Sequence, residues 1–364
     1  MSDHYDPLRK TVLLGLAPLL LSIVLAHQLR ANPIWTPDGY AYAVRMLTYT
    51  GLPFDAARER AQRFYAGLPV AKVPQYAMLF RGKGLPKYYS LFAPRILYPA
   101  VAATLWPARG FQALLDVSLI AYVIAGLALY LLLRQFGTPP LAMIGAIAFC
   151  AAPQIRALAA SALTDMLAVM LWISVLAVMC RCVTAPRRHW LVGGALLIVA
   201  LSFTRPLSYM PFLAACGLAL AAARKHDRGA FRTALIFGGA AIISAIAVTI
   251  VGVAAHAEVP YPPLPVWMAS SAHIILYWLK LELKQMLPLF AVIALVWRRN
   301  HLCVPVIAGA LVSAPVTIVL NPILWDLERT VLDPLFAPIL CGAVLGVDAL
   351  WTALRPGTRP LQQR

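Results

Sequence analysis

SLFAPRILYPAVAATLW, residues 90–106, is apolar enough to be taken for a membrane-crossing helix, and its reading decides the fold. Counted as a span, it changes the sidedness of every later loop. The short loops and tails on one side hold 15 Lys and Arg, among them Arg134, Arg187, Arg188, Arg224, Arg298 and Arg299. Those on the other side hold five: Arg156, Arg205, Lys280, Lys284 and Arg329. Short cytoplasmic loops collect positive charge. Leaving 90–106 outside the bilayer puts the 15 and both termini in the cytoplasm; counting it in reverses that bias. The run is therefore expected to be a helix lying at, or dipping into, the outer surface.

Outward from that run the chain is very apolar. Of 364 residues 61% are hydrophobic and 12% charged, more apolar surface than a soluble domain of this size buries. Apolar blocks suited to a hydrocarbon core of about 30 Å predict an all-α integral membrane protein. We expect about ten transmembrane helices, at 11–27, 112–133, 138–155, 165–181, 190–204, 207–223, 233–255, 286–297, 302–320 and 331–351. They form one transmembrane domain over 1–352, with a long first extracytoplasmic loop (28–111), a second larger one (256–285) and a short cytoplasmic tail (353–364). No large soluble domain is expected after the last span. Val24-Leu25-Ala26 is a poor signal-cleavage site, so the first apolar run reads as a retained span. The six cysteines fall in apolar runs or at their edges and read as buried thiols.

The first loop carries 11 Lys and Arg against Asp38, Asp55 and Glu59. Loops this long do not set orientation. In WTPDGYAYAVRML (35–47) Asp38 is expected to cap a helix running to Gly51, and Asp55 a second one. On that second helix Ala57, Ala61, Phe64, Tyr65 and Leu68 share a face opposite Arg58, Arg60 and Arg63, the pattern of a helix lying on anionic lipid.

An acid at the mouth of the first external loop, basic amphipathic helices and then APRILYP (93–99) together resemble the C-type glycosyltransferase superfamily, membrane enzymes that take sugars from polyprenyl-phosphate carriers. ALTDMLAVML (162–171), FTRPLSYMPFL (203–213) and LERTVLDPLFAPIL (327–340) are similar, in the same order, to further motifs of that family. The motifs are short, and the resemblance specifies a superfamily rather than a substrate. It implies a membrane glycosyltransferase, inverting at the anomeric carbon, that works on a lipid, glycan or protein acceptor at the extracytoplasmic face of a bacterial inner membrane. Asp38 would be the general base and Asp165 the acid that helps organise the site. The chemistry agrees: a phosphate leaves as a stable anion, so one base and several cations suffice. Arg329, Arg95, Arg205, Lys83 and Lys87 are the candidate donor phosphate-binding residues, and Tyr40, Tyr98 and His273 the candidate substrate-binding ones. Only Asp38 and Asp165 match the family's acid pattern, so a divalent metal is an option rather than an expected requirement, and no other cofactor is indicated.

Bland readings stand beside these. Asp38 also fits a Pro-Asp-Gly turn or a cap, a role compatible with catalysis. Thr164 or Asp165 also fits a helix cap. Membrane-end arginines also serve as interfacial anchors. The loop 258–284, with His273 and Glu282, also reads as an aromatic interfacial belt. A flippase for polyprenyl-linked or anionic lipid, or a noncatalytic assembly subunit, is the competing function. A flippase wants charge along a passage within the spans, whereas ionisable groups here gather outside them. The net charge of +17 divides between topology-setting loops and a loop facing anionic lipid, which argues against nucleic acid as partner.

Overall fold

The computed structural model describes residues 6–73, 89–90, 92–255, 282–320 and 333–354. A backbone removed from water satisfies its polar groups most simply as helix. Among the described residues every regular element is helical. One isolated parallel bridge joins Ile34 to Ser161. The helices are α1 (Asp6–Arg30), α2 (Pro37–Tyr49), α3 (Phe54–Ala66), α4 (Leu97–Arg109), α5 (Gln112–Leu133), α6 (Pro139–Ala151), α7 (Pro153–Ala159), α8 (Asp165–Thr184), α9 (Arg188–Thr204), α10 (Tyr209–Lys225), α11 (Arg228–Ala254), α12 (Glu282–Trp297), α13 (Val304–Leu320) and α14 (Asp333–Leu354).

Each of the ten predicted spans falls on a helix: α1, α5, α6, α8 to α11, and α12 to α14. Five segments are by themselves long and apolar enough to cross a membrane: Val12–Arg30, Gln112–Leu133, Asp165–Thr184, Arg228–Ala254 and Leu335–Leu354. These are the helices of a membrane protein. Their outer faces agree, since Leu235, Ile243, Ile250 and Val253 of α11 stand more than half exposed, a surface that water penalises and hydrocarbon does not. α8 lies at the centre, packed on α5 and α9, whereas α11 lies at the margin against α9 and α10.

The helical part of the run 90–106 is α4. α4 has 13 residues, about 20 Å of helix against a core of about 30 Å. It packs on α2, α5 and α9.

Three expectations are corrected. The span at 138–155 is broken: Ala152 precedes Pro153 and is extended, so α6 ends at Ala151 and α7 leaves it bent by 61°. The caps also differ. Thr36, not Asp38, caps α2, its Oγ1 accepting from Gly39 N at 3.2 Å. Pro53 precedes α3, while Asp55 sits in its first turn and pairs with Arg58 at 3.3 Å. Lastly, the apolar face of α3 meets protein instead of lipid. Tyr65 packs edge-on to Trp35 and Tyr40, and Phe64 stacks on Phe111 with ring centres 4.2 Å apart. The helix ending foreseen at Gly51 is present, α2 closing at Tyr49 and Gly51 taking φ 93°.

Candidate active site

The site begins with the first turn of α2. Thr36 supplies the cap and Pro37 the preset φ of a first helical residue, so Asp38 falls in the first turn, where the helix dipole favours an anion. From there Asp38, Tyr42 and Arg45 follow at intervals of four and three, one stripe of a helix. Asp38 is half-buried, and its neighbour Gly39 is buried. A side chain at position 39 would meet the Tyr65 hydroxyl at 2.6 Å and Ala162 O at 3.1 Å. Glycine is what lets this turn sit so close to the start of α8.

Backbone hydrogen bonds hold that approach. Ile34 N donates to Ala160 O at 2.8 Å, and Ala162 N donates to Ile34 O at 3.2 Å. One turn further along α2, Tyr42 and Thr164 hydroxyls meet at 3.2 Å. Thr164 thereby leaves the capping role expected of it, and the residue after it, Asp165, opens α8. The strand-like contact and the hydroxyl pair thus bring the Asp38 and Asp165 segments together.

Asp165 is matched from the neighbouring helix. α8 and α9 form a hairpin, so the start of one lies beside the end of the other. Arg205 is extended because Pro206 follows it, which ends α9 there. Its Nη1 forms an ion pair with Asp165 Oδ1, with 8% and 1% of the two side chains exposed. The interfacial-anchor reading of Arg205 and the cap reading of Asp165 are both corrected: a carboxylate this buried needs a paired cation.

A second cation is fixed by the stripe on α2. Arg45 Nη1 donates to Phe92 O and, at 2.8 Å, to Ala93 O, and its guanidinium lies over the Tyr89 ring. That holds the turn from which Arg95 Nη1 donates to the Tyr42 hydroxyl at 2.8 Å, with its guanidinium 4.7 Å from the centre of the Phe92 ring.

The tyrosines are scaffold. Tyr40 and Tyr98 are wholly buried, which corrects their assignment to substrate contact. The Tyr98 hydroxyl donates to Leu114 O at 2.6 Å. Burial pushes Tyr40 up to about 12, partly offset by Arg58, and raises Tyr65 well above the usual phenol range, with Tyr98 and Asp38 adding to it. Both stay protonated near neutral pH and cannot take a proton there. Of the two carboxylates gathered here, Asp38 is part-exposed, whereas Asp165 is closed in with Arg205.

Of the residues expected from sequence, the structure gathers Asp38, Asp165, Arg205 and Arg95 around the α2–α8 junction. Lys83, Lys87, His273 and Arg329 lie outside the described residues. Sequence reasoning missed Tyr42 and Arg45, for which the four-and-three spacing from Asp38 was the available signal, and named Thr164 only as a cap. Compared with known proteins, the chain matches no protein-family model, and no curated protein is significantly similar to it.

Proposed function

We propose that the chain is a membrane glycosyltransferase that moves a sugar from a polyprenyl-phosphate donor to a lipid, glycan or protein acceptor at the extracytoplasmic face, with inversion. The single observation that carries this reading is the division of labour between its two acids. Asp165 is buried on Arg205 and builds the site, while Asp38 is only half-buried, in the first turn of α2, and one helical turn from the hydroxyl that accepts from Arg95. Asp38 takes the acceptor proton; Arg95 meets the donor phosphate, for which a guanidinium fork is well shaped. The resemblance to C-type glycosyltransferases supports the same reading.

The charge bias of the short loops supports a site on the outer side with both termini in the cytoplasm. Cysteine tags at 70 and 325 should react with an impermeant reagent on intact cells, and tags at 187 and 298 should not; labelling at 187 would break the ten-span arrangement. The function itself is tested by comparing envelope lipids and glycans of cells with the protein, without it, and with Asp38→Asn. Loss of one sugar in the last two names donor and acceptor together. An unchanged glycan profile with altered distribution of polyprenyl lipid across the bilayer would favour the flippase.

A further inference from the structure

Between the outer faces of α1 and α5, closed at one end by α4, lies a groove of about 530 Å³ that the candidate site does not use. Its walls are apolar and include Ile23, Ile120 and Ile124, each close to half exposed. Its mouth is charged. Arg30 Nη2 meets Asp116 Oδ1 at 2.9 Å and Arg109 Nε meets Asp116 Oδ2 at 2.7 Å, so each carboxylate oxygen holds one guanidinium. Two cations on one anion leave one positive charge over. Both arginine side chains are about two-fifths exposed (43% and 40%), with their charge turned to the groove mouth rather than closed in.

We propose that this groove binds an anionic membrane phospholipid, its phosphodiester between Arg30 and Arg109 and one acyl chain along the isoleucines. The geometry of the two helices supports both halves. Arg30 ends α1 and Asp116 lies early in α5, so the charges share one end of the pair. Ile23 lies seven residues back from Arg30 and Ile124 eight residues on from Asp116, so the apolar walls run about 10 Å deeper than the charges. A water-soluble anion has no use for such walls, and a zwitterionic lipid does not match a mouth with one cation in excess. A diester carries one negative charge, which the surplus neutralises; guanidinium is the cation suited to it. The inference does not rest on glycosyl transfer, and its readout is lipid retained on the protein.

The test is native mass spectrometry of the purified full chain, delipidated in detergent and titrated with phosphatidylglycerol or phosphatidylcholine of identical acyl chains. Phosphatidylglycerol should be retained preferentially, by about fivefold for the one surplus positive charge at the mouth. Arg30→Gln with Arg109→Gln and Asp116→Asn removes both cations without orphaning the acid, and should abolish the preference. Asp116→Asn alone keeps both cations and should retain it. Ile124→Trp fills the groove and should lower binding of both lipids. Glycerol 3-phosphate should not compete, since it lacks the chain. Size-exclusion profiles matching the wild type verify folding of each variant; if the triple variant misfolds, the contrast between Asp116→Asn, which retains binding, and Ile124→Trp, which lowers it, still decides. The proposal fails if phosphatidylcholine binds equally well, if the triple variant keeps its preference, or if glycerol 3-phosphate displaces the lipid. It fails too if a polyprenyl monophosphate outcompetes phosphatidylglycerol at equal concentration.

Discussion

At the α2–α8 junction Arg205 meets Asp165 with 8% and 1% of the side chains exposed, whereas at the mouth of the outer groove Arg30 and Arg109 meet Asp116 with 43%, 40% and 12% exposed. The chemistry of the pairs is the same and the surroundings differ. In the first, neither partner tolerates loss of the other, because a lone buried charge has nothing to replace water. In the second, the guanidiniums are partly exposed to their surroundings, so the cluster adds little to folding and keeps a charge available. One arrangement therefore builds a site and the other is suited to holding a ligand.

The largest expected effect breaks the buried pair. Arg205→Met should destabilise the protein by about 3–5 kcal/mol, the scale for orphaning one member of a buried ion pair. Adding Asp165→Asn should recover most of that loss, because the anion has gone. Thermal unfolding in detergent, followed by circular dichroism, separates the two. If the double variant is no more stable than Arg205→Met alone, the pair is not the unit of stability that its burial implies.

Next in size is Asp38→Asn. The substitution keeps the volume and the polar first-turn position, and Thr36 remains the cap. Transfer should fall by about 10²-fold or more, as when a general base is removed, with an unchanged unfolding temperature. A variant that retains turnover would leave Asp38 as a favourable first-turn charge and nothing more.

These two predictions rest on features that the sequence disclosed unequally. The apolar helices were legible because composition and flanking cations mark them, and in five of them length agrees as well. The break at Pro153 was not, since apolar residues continue on both sides and only the backbone of Ala152 changes. Asp165 and Arg205 were each read as outward-facing candidates, at the start of the fourth predicted span and the end of the fifth. Hairpin geometry places those ends side by side, but their mutual burial depends on packing that no local pattern encodes. The stripe of Asp38, Tyr42 and Arg45 was present as spacing, yet which face of α2 turns toward α8 follows from the 34–161 bridge, a contact between segments 127 residues apart. The meeting of Arg30, Arg109 and Asp116 was not legible for the same reason: they come from three separate helices.

A smaller effect sharpens how the two acidic segments are held together. Thr36→Ala removes the cap hydrogen bond to Gly39 N and should cost about 1 kcal/mol. Because the Asp38 turn is also tied by Ile34 to residues 160–162, the helix should persist, and transfer should fall less than in Asp38→Asn. A loss of transfer equal to that of Asp38→Asn would mean that the cap, rather than the bridge, positions the acid.

The smallest expected effect lies at the groove. Asp116→Asn removes an anion from between two arginines that are already partly solvated, so the unfolding free energy should change by less than about 1 kcal/mol, in contrast to the loss when one partner of the Asp165–Arg205 pair is removed. Raising the salt concentration should shrink the difference between wild type and Asp116→Asn further, because exposed charges are screened, and should leave the Arg205→Met deficit nearly unchanged. Paired melts at low and high salt provide the measurement. If Asp116→Asn unfolded the protein as readily as Arg205→Met, or if its effect ignored salt, the outer cluster would be a second structural pair, and exposure would not be what distinguishes the two regions.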